Sequence, residues 1–335
     1  MPSLSRRAPP RALLASAYLL AAACASDASV GPTLSGPSRV LLTSDAGDYI
    51  GAGRTYEYTK TTAIIGVTAV GGHLTISVAG DEGWHADFVM PQASARVQKG
   101  TYGNLARFPF HDPAAGGFDW SGEGRGCNTS ASTVVVEDVA YEDAAVVSLD
   151  LRFEQRCDGS SSALRGTIHW KEAEETVAPG PVVPIPGTLW TPTPGSVPAS
   201  GNFVYWEVPA SAPVGAKFPY LMTPEYNTIN VSSTGGFITV GVSGAASFRL
   251  EFEAMTGVNQ LKVGYYPGLQ RYPFHNTLKG GLDIAHDGYG CNTLTGWVAI
   301  DRVDYTNGRL AAIEMRFERT CDGGAPGNGK VHWTG

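Results

Sequence analysis

The chain has 335 residues, 43% hydrophobic and 16% charged, with a formal net charge of −7. At roughly 150 residues per domain this length corresponds to about two domains, and the acidic balance excludes a broad basic face for nucleic acid. Glycine and proline number 42 and 22 without a three-residue period, and aromatics reach 10%, which excludes both collagen and a disordered acidic chain.

The first 24 residues read as a targeting segment. Arg6, Arg7 and Arg11 give a positive start, and an apolar run from Ala12 to Ala23 follows. A spanning helix needs about 20 apolar residues, so this run is a leader rather than a membrane span. It ends Leu20-Ala21-Ala22-Ala23-Cys24, which resembles a bacterial lipoprotein signal, whose cysteine is diacylated and becomes the mature N-terminus. The resemblance implies a lipid on Cys24, and Ala25 after it implies the outer membrane of a diderm envelope. A plain secretory signal cleaved after Ala21-Ala22-Ala23 is the alternative. Residues 25–37 then form a short polar tether.

From residue 38 the sequence repeats itself at an offset of 164. Arg107-Phe-Pro-Phe-His111 returns as Arg271-Tyr-Pro-Phe-His275, and Gly126-Cys-Asn-Thr129 as Gly290-Cys-Asn-Thr293. Phe153-Glu-Gln-Arg-Cys-Asp-Gly159 returns as Phe317-Glu-Arg-Thr-Cys-Asp-Gly323, and residues 107–159 contain 21 identities in 53 ungapped positions. This is a tandem duplication, residues 38–172 and 200–335, not a solenoid of short repeats. Within copy 1, Val147, Leu149, Leu151 and Phe153 alternate with polar residues; Ile313, Met315 and Phe317 do so in copy 2. Period two marks half-buried strands, and Gly71-Gly72, Gly235-Gly236 and Asn307-Gly308 mark hairpin turns. The fold class is therefore all-β: two tandem antiparallel sandwich- or barrel-like domains. Residues 173–199 between them carry seven prolines and read as a semi-rigid, extended linker.

Cys24 apart, each copy holds two cysteines 30 residues apart. Pairing Cys127 with Cys157 and Cys291 with Cys321 is the one connectivity that treats both copies alike and needs no contact between them, and it suits an exported chain. The repeat unit also resembles β-domains of bacterial secreted and surface proteins that carry the GRGCNT and FExxC[DE]G motifs, here Gly124–Thr129 and Phe153–Gly159. Copy 2 replaces the Arg with Tyr289. The resemblance implies location and fold, and no activity.

Catalytic signatures for acyl transfer, zinc hydrolysis or phosphate binding are missing from the sequence. His111 and His275, and His169 and His332 before a Trp, recur in both copies, but two distant histidines per copy do not make a zinc site. The acidic groups Asp81-Glu82 and Asp138 with Glu142-Asp143 lack a calcium-loop pattern and read as solvated turns. No metal or cofactor is expected. Copy 2 is nearly neutral, with 10 basic and 11 acidic residues against 11 and 17 in copy 1, and it adds Trp206, Trp297, Tyr265 and Tyr289. Exposed aromatic rings stack on sugars, so these four are the expected ligand-binding residues. The expectation is a non-catalytic envelope lipoprotein, a binding or adhesion module for a glycan or another surface protein. The alternatives are a self-associating structural protein and, less favoured, a hydrolase recognisable by a cleft with paired carboxylates.

Overall fold

The computed structural model describes residues 36–92, 94–174, 179–207 and 219–335. The leader, Cys24 and most of the tether lie outside the described residues. Copy 1 contains β1 (Arg39–Ser44), β2 (Thr55–Thr59), β3 (Ile64–Val70), β4 (His73–Ala79), β5 (Gly83–Val89), β6 (Gly100–Ala106), β7 (Gly117–Gly122), β8 (Ser130–Glu142), β9 (Ala145–Cys157) and β10 (Leu164–Lys171). Copy 2 repeats them as β11 (Phe203–Glu207), β12 (Tyr220–Met222), β13 (Asn227–Thr234), β14 (Phe237–Gly244), β15 (Phe248–Glu253), β16 (Gly264–Arg271), β17 (Gly281–His286), β18 (Leu294–Thr306), β19 (Arg309–Cys321) and β20 (Pro326–Thr334). No helix is found among the described residues, and none is long and apolar enough to cross a membrane.

Each copy is one ten-stranded sheet. The order is β2-β1-β10-β9-β8-β6-β7-β5-β4-β3, and copy 2 follows it strand for strand. All pairings are antiparallel except the short β6–β7 and β16–β17 contacts. The two edges, β2 and β3, are consecutive in sequence and separated by residues 60–63 only, so the sheet curls until its edges nearly meet. Trp170 of β10 helps to hold the seam, its Nε1–H donating to the Ile65 carbonyl at 3.2 Å. The result is a nearly closed barrel, with the inward residues of every strand meeting in one core.

That core explains the period-two pattern. Val134, Val136, Leu149, Leu151 and Phe153 are buried in copy 1, as are Val298, Ile300, Ile313, Met315 and Phe317 in copy 2. Phe153 lies over Gly166 of the next strand, where a Cβ would come within 2.0 Å of the ring; Phe317 lies over Gly329 in the same way, at 2.2 Å. The disulfides pair within each copy, Cys127–Cys157 and Cys291–Cys321, with Cα atoms 5.1 and 5.2 Å apart. The Cys-Asp-Gly motif supplies the turn after β9 and β19: Asp158 and Gly159 have φ of 52° and 75°, Asp322 and Gly323 49° and 71°, the left-handed pair of a tight turn. The Thr129 backbone N–H donates to Asp158 at 2.8 Å and holds that carboxyl below its usual range, and Thr293 does the same for Asp322.

The proline-rich segment is not a free spacer: it straps copy 2. Val182 exchanges both backbone hydrogen bonds with Tyr265 of β16, at 2.7 and 2.9 Å. Further along, the Trp190 carbonyl accepts from Arg316 at 2.8 Å, and the Trp190 ring stacks on Tyr205. Prolines fix an extended path, but the path is laid on the barrel.

The copies also touch, and asymmetrically. Asp81, after β4, receives Lys279 Nζ at 2.5 Å, Asn276 Nδ2 at 3.1 Å and Gln270 Nε2 at 3.1 Å, and Asn276 also donates to the Thr62 carbonyl at 2.8 Å. At matching positions the other copy has Ala245 for Asp81, Asp112 for Asn276, Ala115 for Lys279 and Ala106 for Gln270. Every side chain that makes the contact is therefore absent where the copies' roles are exchanged. The contact is heterologous in type, but a second molecule cannot extend it head to tail.

Candidate functional site

The duplicated motifs converge at one place on each barrel. In copy 1, Arg107 leaves β6 with its Nη1 directed to the Asn128 carbonyl at 3.5 Å, which joins the first motif to the second. Asn128 Nδ2 reaches Asp158 at 3.5 Å, which joins the third. The Arg107 guanidinium lies 5.2 Å from the Phe110 ring centroid. Phe110 is nonetheless 75% exposed, so its other face is open to solvent. Copy 2 reproduces the group: Arg271 to the Asn292 carbonyl at 3.3 Å, Arg271 over Phe274 at 5.1 Å, and Phe274 76% exposed. Folding does not require an exposed phenylalanine, yet both copies present one.

Beside Arg107 runs a polar strip on the outer face of β4, β5 and β7. Trp84, Ala86, Phe88, Phe118 and Trp120 point inward, so His85, Asp87, Asp119 and Ser121 point outward. The ladder sets Asp87 opposite Asp119. His73 Nε2 meets Asp87 at 2.6 Å, His85 Nε2 meets its other oxygen at 3.1 Å, and Arg107 Nε stands 3.6 Å from Asp119. Burial pushes the Asp119 carboxyl above its ordinary value, and Asp87 adds to this against the pull of Arg107 and Ser121. Asp119 Oδ1 and Arg107 Nε are buried atoms without a hydrogen-bond partner among the described residues. The strip continues into an open groove of about 540 Å³ lined by Ser77, Gly83, His85, Ser121 and Arg125, among others. Copy 2 keeps the two carboxylates as Glu251 opposite Asp283 but closes them with Arg249, at 3.5 and 3.3 Å.

Paired carboxylates, a guanidinium and an exposed ring face can hold a polyhydroxylated ligand. The carboxylates accept from hydroxyls, Arg107 donates, and Phe110 packs on an apolar C–H face.

The four aromatic residues expected to bind ligand are not assembled into a platform. Trp206 is fully buried, stacked on Phe317 at 5.6 Å, so its assignment to a sugar-stacking surface is corrected: it is core. The reason is a compensated exchange between the copies. Copy 1 has Leu42 and Trp120 around Phe153, with Trp120 at 4.8 Å; copy 2 has Trp206 and Ile284 at the matching positions. The indole has changed strands, and the summed core volume is nearly kept. Gln155, which brackets the Trp120 backbone with two 2.8 Å bonds, becomes Arg319, which donates to the Ile284 carbonyl at 2.6 Å and covers Trp206 at 4.9 Å.

Trp297 has outward parity but is only 7% exposed, beside Tyr265 at 6.0 Å. It lies on the side of the sheet crossed by the strap, whose bonds to Tyr265 and Arg316 flank Ala299 in the ladder. Tyr289 is 49% exposed and belongs to another group, with His286 at 5.9 Å.

The recurring histidines are structural. His111 and His275 pack on Gly117 and Gly281, where a Cβ would approach the rings within 2.4 and 2.6 Å. His169 bonds Asp150 and the Gly36 carbonyl, and His332 the Gly201 carbonyl. Among the described residues no group of three or more His, Cys, Asp or Glu is placed to hold a metal. The strip was missed because His73 and His85 become Phe237 and Arg249 in copy 2. The available signal was the acidic pair at matching strand positions, Asp87 with Asp119 and Glu251 with Asp283.

No family model matches the chain, and no curated protein does either. Among solved structures, a conserved protein of unknown function with a hot dog fold from Alicyclobacillus acidocaldarius is 10% identical, with 75% of this chain and 93% of that chain covered at a TM-score of 0.13. A likeness of that size carries no argument about fold or function.

Proposed function

We propose that the protein is an exported envelope lipoprotein, anchored through Cys24, whose first barrel binds a glycan non-catalytically on the Asp87–Asp119 strip. The strip carries the reading: two facing carboxylates, Asp119 held at 3.6 Å by Arg107 Nε, and an open phenylalanine face beside that guanidinium. The two intradomain disulfides support export, and the leader ending at Cys24 supports the anchor. Copy 2, with its carboxylates closed by Arg249, serves as the docked support. The ligand-binding role expected of copy 2 thus moves to copy 1.

An array of neutral and acidic oligosaccharides, probed with the full chain, tests the reading. Binding by the wild type should fall at least tenfold, about 1.4 kcal/mol, in Asp119→Asn and in Phe110→Ala, with melting unchanged. An array without hits, or hits indifferent to both substitutions, overturns it. One observation favours a second reading. Burial raises the Asp119 carboxyl, which stands opposite Asp87, and paired carboxyls are the arrangement of a glycosidase. Appearance of new reducing ends in the bound oligosaccharide would replace the first reading with the second.

A further inference from the structure

In an antiparallel ladder the N–H and C=O of one residue point to the same side. Tyr265 faces Ala299 of β18, yet both its backbone groups bond to Val182 of the strap. The first half of β16 therefore has its hydrogen-bonding edge turned away from β18, since β17 joins β16 only at Gln270 and Arg271. The strap fills that edge with one extended residue. Gly264 lies under it, buried, a Cβ there falling 2.7 Å from Pro181 and 3.3 Å from Val183.

Copy 1 has the same edge. Thr101 faces Val135 in the register that Tyr265 keeps with Ala299, and β7 joins β6 only at Ala106. By the same geometry the Thr101 N–H and C=O point outward, and no backbone partner for them is found among the described residues. Thr101 is exposed and Gly100 half-buried, where their counterparts in copy 2 are half-buried and buried. The 164-residue offset sets Val182 opposite Tyr18, inside the apolar leader. Under the export reading proposed above, cleavage before Cys24 removes that position from the mature chain.

We propose that the β6 edge at Thr101 is a strand-addition site for a partner polypeptide. The partner presents an extended, β-branched residue between prolines, as Pro181-Val182-Val183-Pro184 does to copy 2. Strand addition supplies affinity through main-chain bonds and specificity through alternate side chains. Flanking prolines favour an extended conformation, which lowers the entropy lost on docking. An open edge of this kind is otherwise a site of unwanted pairing, and β6 limits it to a few residues. This proposal uses residues separate from the Asp87–Asp119 strip and does not depend on the glycan reading.

The test uses the full chain after leader removal, with a synthetic peptide of residues 180–187 as the probe. At about millimolar peptide the Thr101 amide should exchange with deuterium at least about tenfold more slowly. The same peptide N-methylated at the Val182 nitrogen, which cannot donate, should give no protection. Thr101→Pro removes the protein's own donor at an edge position that tolerates proline and should abolish binding with both disulfides and melting intact. Three results overturn the proposal: an unchanged Thr101 amide, equal protection by the N-methylated peptide, or a Thr101 amide already protected by residues 25–35 in the free chain.

Discussion

If Trp206 and Arg319 are the two halves of a compensated exchange with Trp120 and Gln155, their substitutions must fail to add. Trp206→Leu puts the copy 1 residue into copy 2. The indole is fully buried, 5.6 Å from the Phe317 ring and 6.3 Å from the Phe248 ring. Its loss leaves a cavity costing about 3 kcal/mol. The Arg319 guanidinium, 4.9 Å above it, loses its ring, at about 1 kcal/mol more. Ile284→Trp alone overpacks the same space, at roughly 1–3 kcal/mol. The triple variant Trp206→Leu, Ile284→Trp, Arg319→Gln rebuilds the copy 1 arrangement and should lie within about 1 kcal/mol of wild type, far from the additive sum. Calorimetry of the full chain reads this out, with hydrogen exchange of β17 and β19 showing that the affected transition belongs to copy 2. At roughly 3 °C per kcal/mol for a domain of this size, Trp206→Leu should lower melting by more than about 10 °C and the triple variant by only a few. Additive losses in the triple variant would refute the exchange. A Trp206→Leu variant that melts like wild type would refute the burial itself.

Gly166→Ala and Gly329→Ala drive a methyl into the Phe153 and Phe317 rings and should each cost at least about 2 kcal/mol in calorimetry, whereas Gly241→Ala, with nothing within 4 Å, should not destabilise. Asn276→Asp sets a carboxylate against Asp81 and should undock the barrels, raising the radius of gyration in small-angle scattering with both barrels folded. Burial raises the Asp81 carboxyl, but the bonds from Lys279, Asn276 and Gln270 outweigh it and hold the group below 3.8. The carboxylate's contribution to docking is therefore full above that value and is lost as pH falls through the lower folded value, a weakening scattering should show in acid and that Asp81→Asn should remove. Burial depresses His275 and His286 below 6.5, so neutral rings stabilise copy 2 above pH 6.5. That stability should drain as pH drops towards their folded values, and a melt of copy 2 that does not fall between pH 7.5 and 5.5 would contradict it.

The strands, the duplication and the disulfide pairs were legible because each leaves a periodic or repeated mark: alternation at Val147–Phe153, the offset of 164, the spacing of 30. β11 left no such mark. Phe203, Val204, Tyr205 and Trp206 are all buried, since one face meets the core and the other meets the strap through Trp190 on Tyr205. A strand covered on both sides loses its alternation, and Trp206 then reads as an added surface ring. The strap was half legible. Seven prolines specify an extended path, but nothing local specifies the barrel edge it lies on, because Tyr265 and Arg316 are distant in sequence. The Asp87–Asp119 strip left no repeated mark, because His73 and His85 beside it become Phe237 and Arg249 in copy 2.

The first and last strands of each barrel are ladder neighbours, and this determines how the molecule responds to tension. Arg39 faces His169, and Phe203 faces His332, so the chain enters and leaves each barrel at the same end. A load between an anchored N-terminus and a gripped C-terminus therefore opens the β1–β10 and β11–β20 ladders bond by bond, as a zipper, rather than shearing all the bonds together. Such a joint yields at low force, and its lifetime is governed by the opening rate rather than by equilibrium stability. Extension then meets the Cys127–Cys157 and Cys291–Cys321 links, each of which bridges 30 residues. At about 3.4 Å per residue, each link withholds roughly 100 Å of chain and keeps the β8–β9 or β18–β19 hairpin closed. Under load each barrel is a soft extensible coil with a covalent stop.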